Sequence, residues 1–336
     1  MKKPLLLALV AGLLSGPAAE AQNKQELTVA FGSCNRQNLP QPLWPVIALE
    51  KPDVWIWLGD NIYGDTNDMA VLKQTYDQQF NQEGYRQFRA QVPTIIGTWD
   101  DHDYGRNDAG KEYPFKKESQ QLALDFLQEP TNSPRRTQQG LYAAYEYQVG
   151  SKKVKVLLLD DRYHQDHLEK NALKAYVPNP QGDILGEEQW QWLQAQLTNS
   201  TADAHIIGSG LQFLPNQHPY EKWANFPTAR QRLLDLLTAS QAKGVLLVSG
   251  DRHIGEISKI TPAGMTYPIY EITSSGLTHP SEKNTKEANQ YRVGPLVNRK
   301  HYGLFRFREQ GKKLLLTAAL KGEDGQVIYA EDIEVK

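Results

Sequence analysis

Apolar segments of strand length recur along this chain, and segments with helical periodicity lie between them. The strand-like segments are 27–31, 54–58, 94–97, 154–159, 205–208 and 245–248, and the helix-like segments are 71–89, 118–127, 187–197 and 229–237. Strands that alternate with helices predict an α/β fold, because the helices cover the faces of a largely buried sheet. Residues 265–335 are rich in strand-forming residues, so we expect helices outside one or two mixed β-sheets.

The first 21 residues have the pattern of a secretory signal. Lys2 and Lys3 precede an apolar run over 5–14, and Ala19-Glu20-Ala21 is a small-residue cleavage site. We therefore expect residues 1–21 to be removed and 22–336 to form a single domain of a periplasmic or secreted protein. The apolar run has about half the length that a membrane-spanning helix needs, and no later run is longer, so no membrane span is expected.

Charge and cysteine content exclude further classes of protein. The chain has 37 Lys and Arg against 39 Asp and Glu, a net charge of −2. Specific binding to nucleic acid or to an anionic bilayer usually needs an excess of positive charge, so neither partner is expected. The single cysteine, Cys34, cannot form a disulfide within the chain, and its thiol is therefore either buried and inert or a metal ligand.

Four predicted strands end in side chains that commonly bind metals. These residues are Cys34 after the first strand, Asp60 and Tyr63 after the second, Asp101 and His102 after the third, and Asp251 and His253 after the last. Each residue alone could serve a turn or a helix cap. Strand ends meet at one edge of a sheet, however, and several oxygen donors with a nitrogen or thiolate suit a metal ion. The combined pattern predicts a metal site.

These motifs, in this order, resemble the PhoD-like alkaline phosphatase family, within the calcineurin-like and purple-acid-phosphatase-like metallophosphoesterases. Residues 59–63, Gly-Asp-Asn-Ile-Tyr, match the Gly-Asp-x-x-Tyr motif of that superfamily. Residues 101–103 stand in place of Asn-His-Asp/Glu, and residues 250–253, Gly-Asp-Arg-His, in place of Gly-His-x-His. Cys34 in place of the opening aspartate, together with 159–162, Leu-Asp-Asp-Arg, is typical of the PhoD branch. The likeness extends from about residue 31 to about residue 308.

The resemblance implies a metallophosphatase-like layered sandwich of two mixed β-sheets flanked by helices, with a multinuclear metal site. It implies that Asp60 bridges the metals, that Cys34 and Tyr63 bind Fe³⁺, and that Asp101, Asp251 and His253 complete the ligand set, with Ca²⁺ beside the iron. The donor chemistry agrees, because anionic thiolate and phenolate suit Fe³⁺ and carboxylates suit Ca²⁺.

The function implied by the resemblance is an exported, metal-dependent phosphoester hydrolase. It would act as a phosphomonoesterase, a phosphodiesterase or both, on small-molecule or polymer phosphate esters, and would scavenge phosphate with a metal-activated water or hydroxide. The alternative is a secreted carbohydrate- or surface-binding protein without a hydrolytic metal site. Its basis is the content of 7 Trp and 16 Tyr and the acids near aromatic residues in segment 187–197.

Two residues are candidates for catalysis. His102 either donates a proton to the leaving oxygen or a hydrogen bond to phosphate, or it orients Asp101. Arg162 either presents its planar guanidinium to a phosphate or forms an ion pair with Asp160 or Asp161.

The remaining candidate residues have weaker sequence signals. Gln212 and His218 are weak candidates for the middle histidine of the broad family, and Arg252, between two expected ligands, is expected to be structural or to orient them. His205 lies inside a predicted strand. His164, His167, His279 and His301 lack metal-like spacing, and we expect them at the surface or in loops.

Overall fold

The computed structural model describes residues 24–336, which form thirteen β-strands and seven α-helices. The expected signal segment 1–21 lies outside these residues. The strands are β1 (Glu26–Gly32), β2 (Val54–Leu58), β3 (Thr94–Thr98), β4 (Ala143–Val149), β5 (Lys152–Leu158), β6 (Ala204–Ser209), β7 (Val245–Ser249), β8 (Gly255–Ile260), β9 (Ile269–Ser274), β10 (Arg292–Val297), β11 (His301–Gln310), β12 (Lys313–Gly322) and β13 (Val327–Val335). The helices are α1 (Leu43–Leu49), α2 (Met69–Asn81), α3 (Glu83–Arg89), α4 (Asp101–Tyr104), α5 (Lys116–Phe126), α6 (Gly186–Thr198) and α7 (Pro227–Ser240).

The strands form two mixed sheets, which confirms the predicted fold class. One sheet has six strands in the order β13-β12-β11-β1-β2-β3, and the other has seven in the order β10-β8-β9-β7-β6-β5-β4. In the first, β1, β2 and β3 run parallel. In the second, β5, β6, β7 and β9 run parallel. The remaining strand pairs in both sheets are antiparallel.

Side-chain alternation in β2 explains why the two sheets lie face to face. Val54, Ile56 and Leu58 belong to a core that also contains β5, β6 and β7 side chains of the other sheet. Trp55 and Trp57 point to the opposite face, where they pack with residues of α1, α3 and α5. Successive side chains of a strand alternate in this way, so a strand that is buried on both faces is apolar at every position.

Helices α6 and α7 cover the outer face of the second sheet, and their buried side chains form a further apolar cluster with side chains of that sheet.

Most predicted elements lie within a few residues of their observed bounds, but the single helix expected over 71–89 is wrong. Gln82 has an extended ψ of 128°, which ends α2, and its side chain accepts a hydrogen bond from the Tyr85 N–H to begin α3. In the described part of the chain, no helix combines the length and apolarity of a membrane span.

Candidate metal centre

The expected metal ligands lie in loops that follow β1, β2, β3 and β7 at the same edge of the two facing sheets. Cys34 follows β1, Asp60 follows β2, Asp101 begins α4 after β3, and Asp251 and His253 follow β7. Parallel strands direct their carboxyl ends to one edge, which is how residues more than 200 positions apart in the chain meet. The residues that the sequence pattern singled out thus lie at one edge of the structure.

Asp60 is at the centre of the group. Its Oδ2 accepts a hydrogen bond from the Tyr63 hydroxyl at 2.8 Å and lies 3.4 Å from the Cys34 sulfur. The Tyr63 oxygen is also 3.0 Å from Nε2 of His253. Donor atoms of Cys34, Asp60 and His253 all lie within 4.8 Å of one another. A thiol, a carboxylate, a phenol and an imidazole thus converge on one small volume.

A second group shares Asp60. Donor atoms of Asp60, Asp101 and His102 also lie within 4.8 Å of one another. One carboxylate that belongs to two donor groups has the placement of a bridging ligand between two ions. Asp251 belongs to neither group, although its charge is close enough to raise the pKa of both Cys34 and Asp60.

The electrostatics of the cluster favour a cation. Burial raises the pKa of Cys34, Asp60 and Tyr63 well above their usual values, and the negative charges of neighbouring acids raise them further. Burial likewise raises the pKa of Asp251 to about 6. Oδ1 of Asp60 and Oδ2 of Asp251 are buried without a hydrogen-bond partner. Bound cations would offset this repulsion and supply the missing partners, so these residues fit a metal site.

The backbone at the ligands is strained. Cys34, Asp60, Asp251 and His253 have φ of 59°, 50°, 63° and 55°, in the left-handed region that residues other than glycine rarely adopt. Gly59, with φ of 88°, makes the turn before Asp60, and a Cβ there would lie 2.7 Å from the Asp100 nitrogen. Left-handed turns re-aim side chains toward a common point, and such strain persists where a site depends on it.

Asp103 ties two of these loops together. Its carboxylate accepts hydrogen bonds from the backbone N–H groups of Asp60 at 3.1 Å, Asn61 at 3.2 Å and Asp100 at 2.7 Å. The side chain is completely buried. Because one carboxylate holds the loops after β2 and β3, it fixes the distance between Asp60 and Asp101. The sequence signal for this residue was its place in the motif 101–103.

His102 lies beside the cluster and is oriented by Asp65. Its Nδ1 is 2.7 Å from Oδ1 of Asp65, and its ring packs on Tyr63 at a centroid distance of 4.2 Å. Burial alone would lower the pKa of His102, but the Asp65 hydrogen bond and the charges of Asp60 and Asp101 outweigh it and raise the pKa to about 10. Sequence analysis missed Asp65, whose only signal is its position five residues after Asp60.

Arg162 requires a correction. The expected phosphate contact is not available, because the side chain is completely buried and its N–H groups are engaged. Nε donates to Asp100 at 2.6 Å, and the two terminal nitrogens donate to Glu221 at 2.8 and 2.9 Å. The alternative ion pair with Asp160 or Asp161 is also wrong, since Asp100 and Glu221 are the partners. Arg162 is thus part of the buried support beneath the loop that carries Asp101.

Sequence analysis missed two further residues at the site. His279 lies in a loop, as expected, but its ring packs 4.4 Å from the His253 centroid and 4.9 Å from that of Tyr63. Arg36 lies 4.7 Å above the Tyr63 ring. Both belong to loops that β1 and β9 bring to this edge. His301, in contrast, was misplaced, because it is completely buried at the start of β11.

The candidates for the middle histidine lie apart from the donor groups. The Gln212 amide nitrogen donates to Glu256 and Thr273 inside the second sheet, each at 2.8 Å. His218 is 4% exposed and lies near Arg252. Neither residue belongs to a group of donor atoms that could hold a metal among the described residues.

A third group of carboxylates, from Asp101, Asp108 and Glu221, also lies within 4.8 Å. Both oxygens of Glu221 accept hydrogen bonds from Arg162, and Oδ2 of Asp108 accepts from Lys170 and Tyr176. The guanidinium of Arg162 thus already neutralises part of the negative charge of this group.

Comparison with known proteins supplies relatives for this geometry. A family profile described as PhoD-like phosphatase matches residues 29–318. The chain is 24% identical over 286 residues to alkaline phosphatase D of Bacillus subtilis (strain 168), covering 72% of this chain and 48% of the relative. It thus spans about half the length of that curated relative.

Two solved structures are similar in fold. One, described as the structure of PhoD, has a TM-score of 0.73 at 19% identity, and the match covers 93% of this chain and 69% of the PhoD chain. The other, GAP50, described as the anchor in the inner membrane complex of Plasmodium, has a TM-score of 0.60 at 16% identity, with coverage of 93% and 90%. At these identities the likeness establishes the fold.

Proposed function

Because the chain belongs to the PhoD-like phosphatase family, we propose that it is an exported, metal-dependent phosphoester hydrolase that cleaves phosphomonoesters, phosphodiesters or both to release phosphate. We further propose that residues 1–21 direct export and that 22–336 form one catalytic domain. The observation that carries the proposal is the convergence of Cys34, Tyr63 and His253 on the carboxylate of Asp60.

The donor set indicates which residues would hold which ions. Cys34, Tyr63 and His253 would bind Fe³⁺ with Asp60, because thiolate and phenolate stabilise a trivalent ion. Asp60 and Asp101, with Asp251 nearby, would bind Ca²⁺ through oxygen. Ions bound there would lower the pKa of a water and neutralise charge that develops on the phosphate oxygens.

The protein's own groups would position the substrate and move the proton. His102 is held by Asp65 through Nδ1, which leaves Nε2 as the nitrogen that can donate to the leaving oxygen. Its high pKa in this cluster keeps the ring protonated at neutral pH, although a cation on Asp60 would lower that pKa. Arg162 would act as a positioning residue, because its bond to Asp100 fixes the start of α4.

The carbohydrate-binding alternative loses its main support. Of the seven tryptophans, six are buried below 2% exposure: Trp44, Trp55, Trp57, Trp99, Trp190 and Trp223. Trp192 packs partly exposed against the cluster that covers the second sheet. An aromatic platform for sugar rings needs exposed faces, and the tryptophans do not provide one.

Hydrolysis of chromogenic substrates tests the proposal. Purified protein should hydrolyse p-nitrophenyl phosphate or bis-p-nitrophenyl phosphate, lose the activity in chelator, and regain it with calcium and iron. Asp60→Asn should remove the activity with the chain still folded, whereas the exposed control Asp77→Asn should retain it. A folded, metal-loaded protein that hydrolyses neither ester, or that is indifferent to chelator, would contradict the proposal.

A further inference from the structure

A groove of about 430 Å³ opens beside the metal centre. It is lined by residues 217–220, which follow β6, and by residues 283–288, which precede β10. Arg252 connects the groove to the centre, because it stands between the expected ligands Asp251 and His253. Its Nη2 donates to Glu287 in the groove at 2.7 Å, and its guanidinium lies 3.8 Å from the ring centroid of Tyr220.

Two buried donors lack acceptors, one on His218 in the lining of the groove and one on Arg252, which contacts the lining residues. Nε of Arg252 is buried without a hydrogen-bond partner, and so is Nε2 of His218. Nδ1 of His218 accepts the Tyr220 N–H at 3.3 Å, so in the neutral ring the proton is on Nε2. Burial and the charges of Arg252 and Lys222 lower the pKa of His218 to about 2, which keeps the ring neutral. Buried donors without partners are costly to a protein, and a ligand oxygen would satisfy them.

The residues that line the groove include two lysines and one glutamate. Lys283 and Lys286 are exposed at its rim, and neither forms an ion pair with a residue between 24 and 336. The carboxylate of Glu287 is already bonded to Arg252 and to Asn284, although its Oε1 remains available for a ligand hydroxyl or a water. Unpaired N–H donors under a lysine rim favour an anionic group rich in acceptor oxygens.

We propose that this groove binds the part of the substrate that lies beyond the scissile phosphorus, and that it selects substrates with a second anionic oxygen group such as a second phosphate. The proposal rests on the hydrolase function proposed above, because it places the scissile phosphate at the metal centre. It predicts that a compound with two phosphate groups binds more tightly than a compound of the same length with one.

Binding of compounds that are not hydrolysed tests this preference. Alkane-α,ω-bisphosphonates of two to six carbons are compared with the matching alkyl phosphonates by titration calorimetry on metal-loaded protein. Because a bisphosphonate has two identical ends, its affinity is about twofold higher on statistical grounds alone. Contacts in the groove should raise its affinity by about a further tenfold at the preferred length, which is the usual scale of one charge-assisted contact. His218→Phe and Lys283→Ala/Lys286→Ala should each reduce this preference toward twofold.

The control is Lys312→Ala, at an exposed position in the turn between β11 and β12, which should bind both compounds as the wild type does. If His218→Phe fails to fold, the lysine pair at the exposed rim still provides the test. A wild-type preference of twofold or less at every length, in protein that binds alkyl phosphonate, would overturn the groove proposal and leave the hydrolase intact. Failure to bind either compound would overturn both proposals.

Discussion

Removal of the Asp103 carboxylate should destabilise the whole protein as well as its site. This buried side chain accepts hydrogen bonds from the N–H groups of Asp60, Asn61 and Asp100. Asp103→Ala leaves all three N–H donors without an acceptor and creates a small void that offers no replacement. Asp103→Asn keeps the shape, but its NH₂ group must face one of the three backbone N–H donors.

The magnitude follows from the number of donors. A buried N–H without an acceptor costs about 1–2 kcal/mol at the lower part of the usual range, so Asp103→Ala should lose about 3–6 kcal/mol of unfolding free energy. Asp103→Asn leaves one donor unsatisfied and should lose about 1–3 kcal/mol. The larger loss approaches the whole stability of a typical domain, which is about 5–15 kcal/mol.

Urea unfolding followed by tryptophan fluorescence measures these losses, because the tryptophans are buried in the core. The measurement is made in chelator, so that metal binding does not contribute. Asp77→Ala on the exposed face of α2 is the matched control and should change stability by less than about 0.5 kcal/mol. If Asp103→Ala unfolds at the same urea concentration as the control, the argument that this carboxylate holds the two loops is refuted.

Three further predictions concern other residues. Tyr63→Phe should weaken metal binding by at least about tenfold in titration against a competing chelator, and unchanged affinity would remove the phenol from the ligand set. Arg162→Met should lose about 3–5 kcal/mol of unfolding free energy, because Asp100 and Glu221 remain buried without their cation; addition of Glu221→Gln should cost less than the two single changes summed. Burial lowers the pKa of His301 to about 4 in the folded chain, against about 6.5 in the unfolded chain. The contribution of the neutral ring to the unfolding free energy is therefore complete above pH 6.5, and about 3 kcal/mol of it is lost as the pH falls to 4. His301→Gln should flatten the acid side of the stability profile, and a profile as steep as the wild type's would contradict this.

The strand ends of the site could be predicted because both the strands and their polar ends are local signals. The segment 54–58 is apolar at every position, which identifies a strand buried on both faces, and Gly59-Asp60 follows it directly. The geometry of parallel strands then brings Cys34, Asp60 and Asp101 to one edge without knowledge of the detailed packing. The metal-binding roles of these residues remain predictions that the structure makes testable.

The partners of Arg162 could not be predicted, because they depend on tertiary placement of loops. Asp100 and Glu221 are 62 and 59 positions away, and no periodicity relates them to Arg162. The contact of His279 with Tyr63 and His253 could not be predicted for a similar reason, since its loop reaches the site only through the order of strands in the second sheet. The break between α2 and α3 was missed because Gln82 is a good helix former, whereas in the structure its extended backbone ends α2 and its side chain caps α3.

The most direct test of the shared metal site is elemental analysis of the purified protein beside its Cys34→Ser variant. Circular dichroism establishes that both chains are folded, since serine replaces sulfur at little cost in volume. The account predicts that the wild type retains a tightly bound transition metal through dialysis and that Cys34→Ser loses it together with phosphoester hydrolysis. Equal metal content and equal hydrolysis in the two folded proteins would contradict the claim that Cys34, Asp60, Tyr63 and His253 hold one ion.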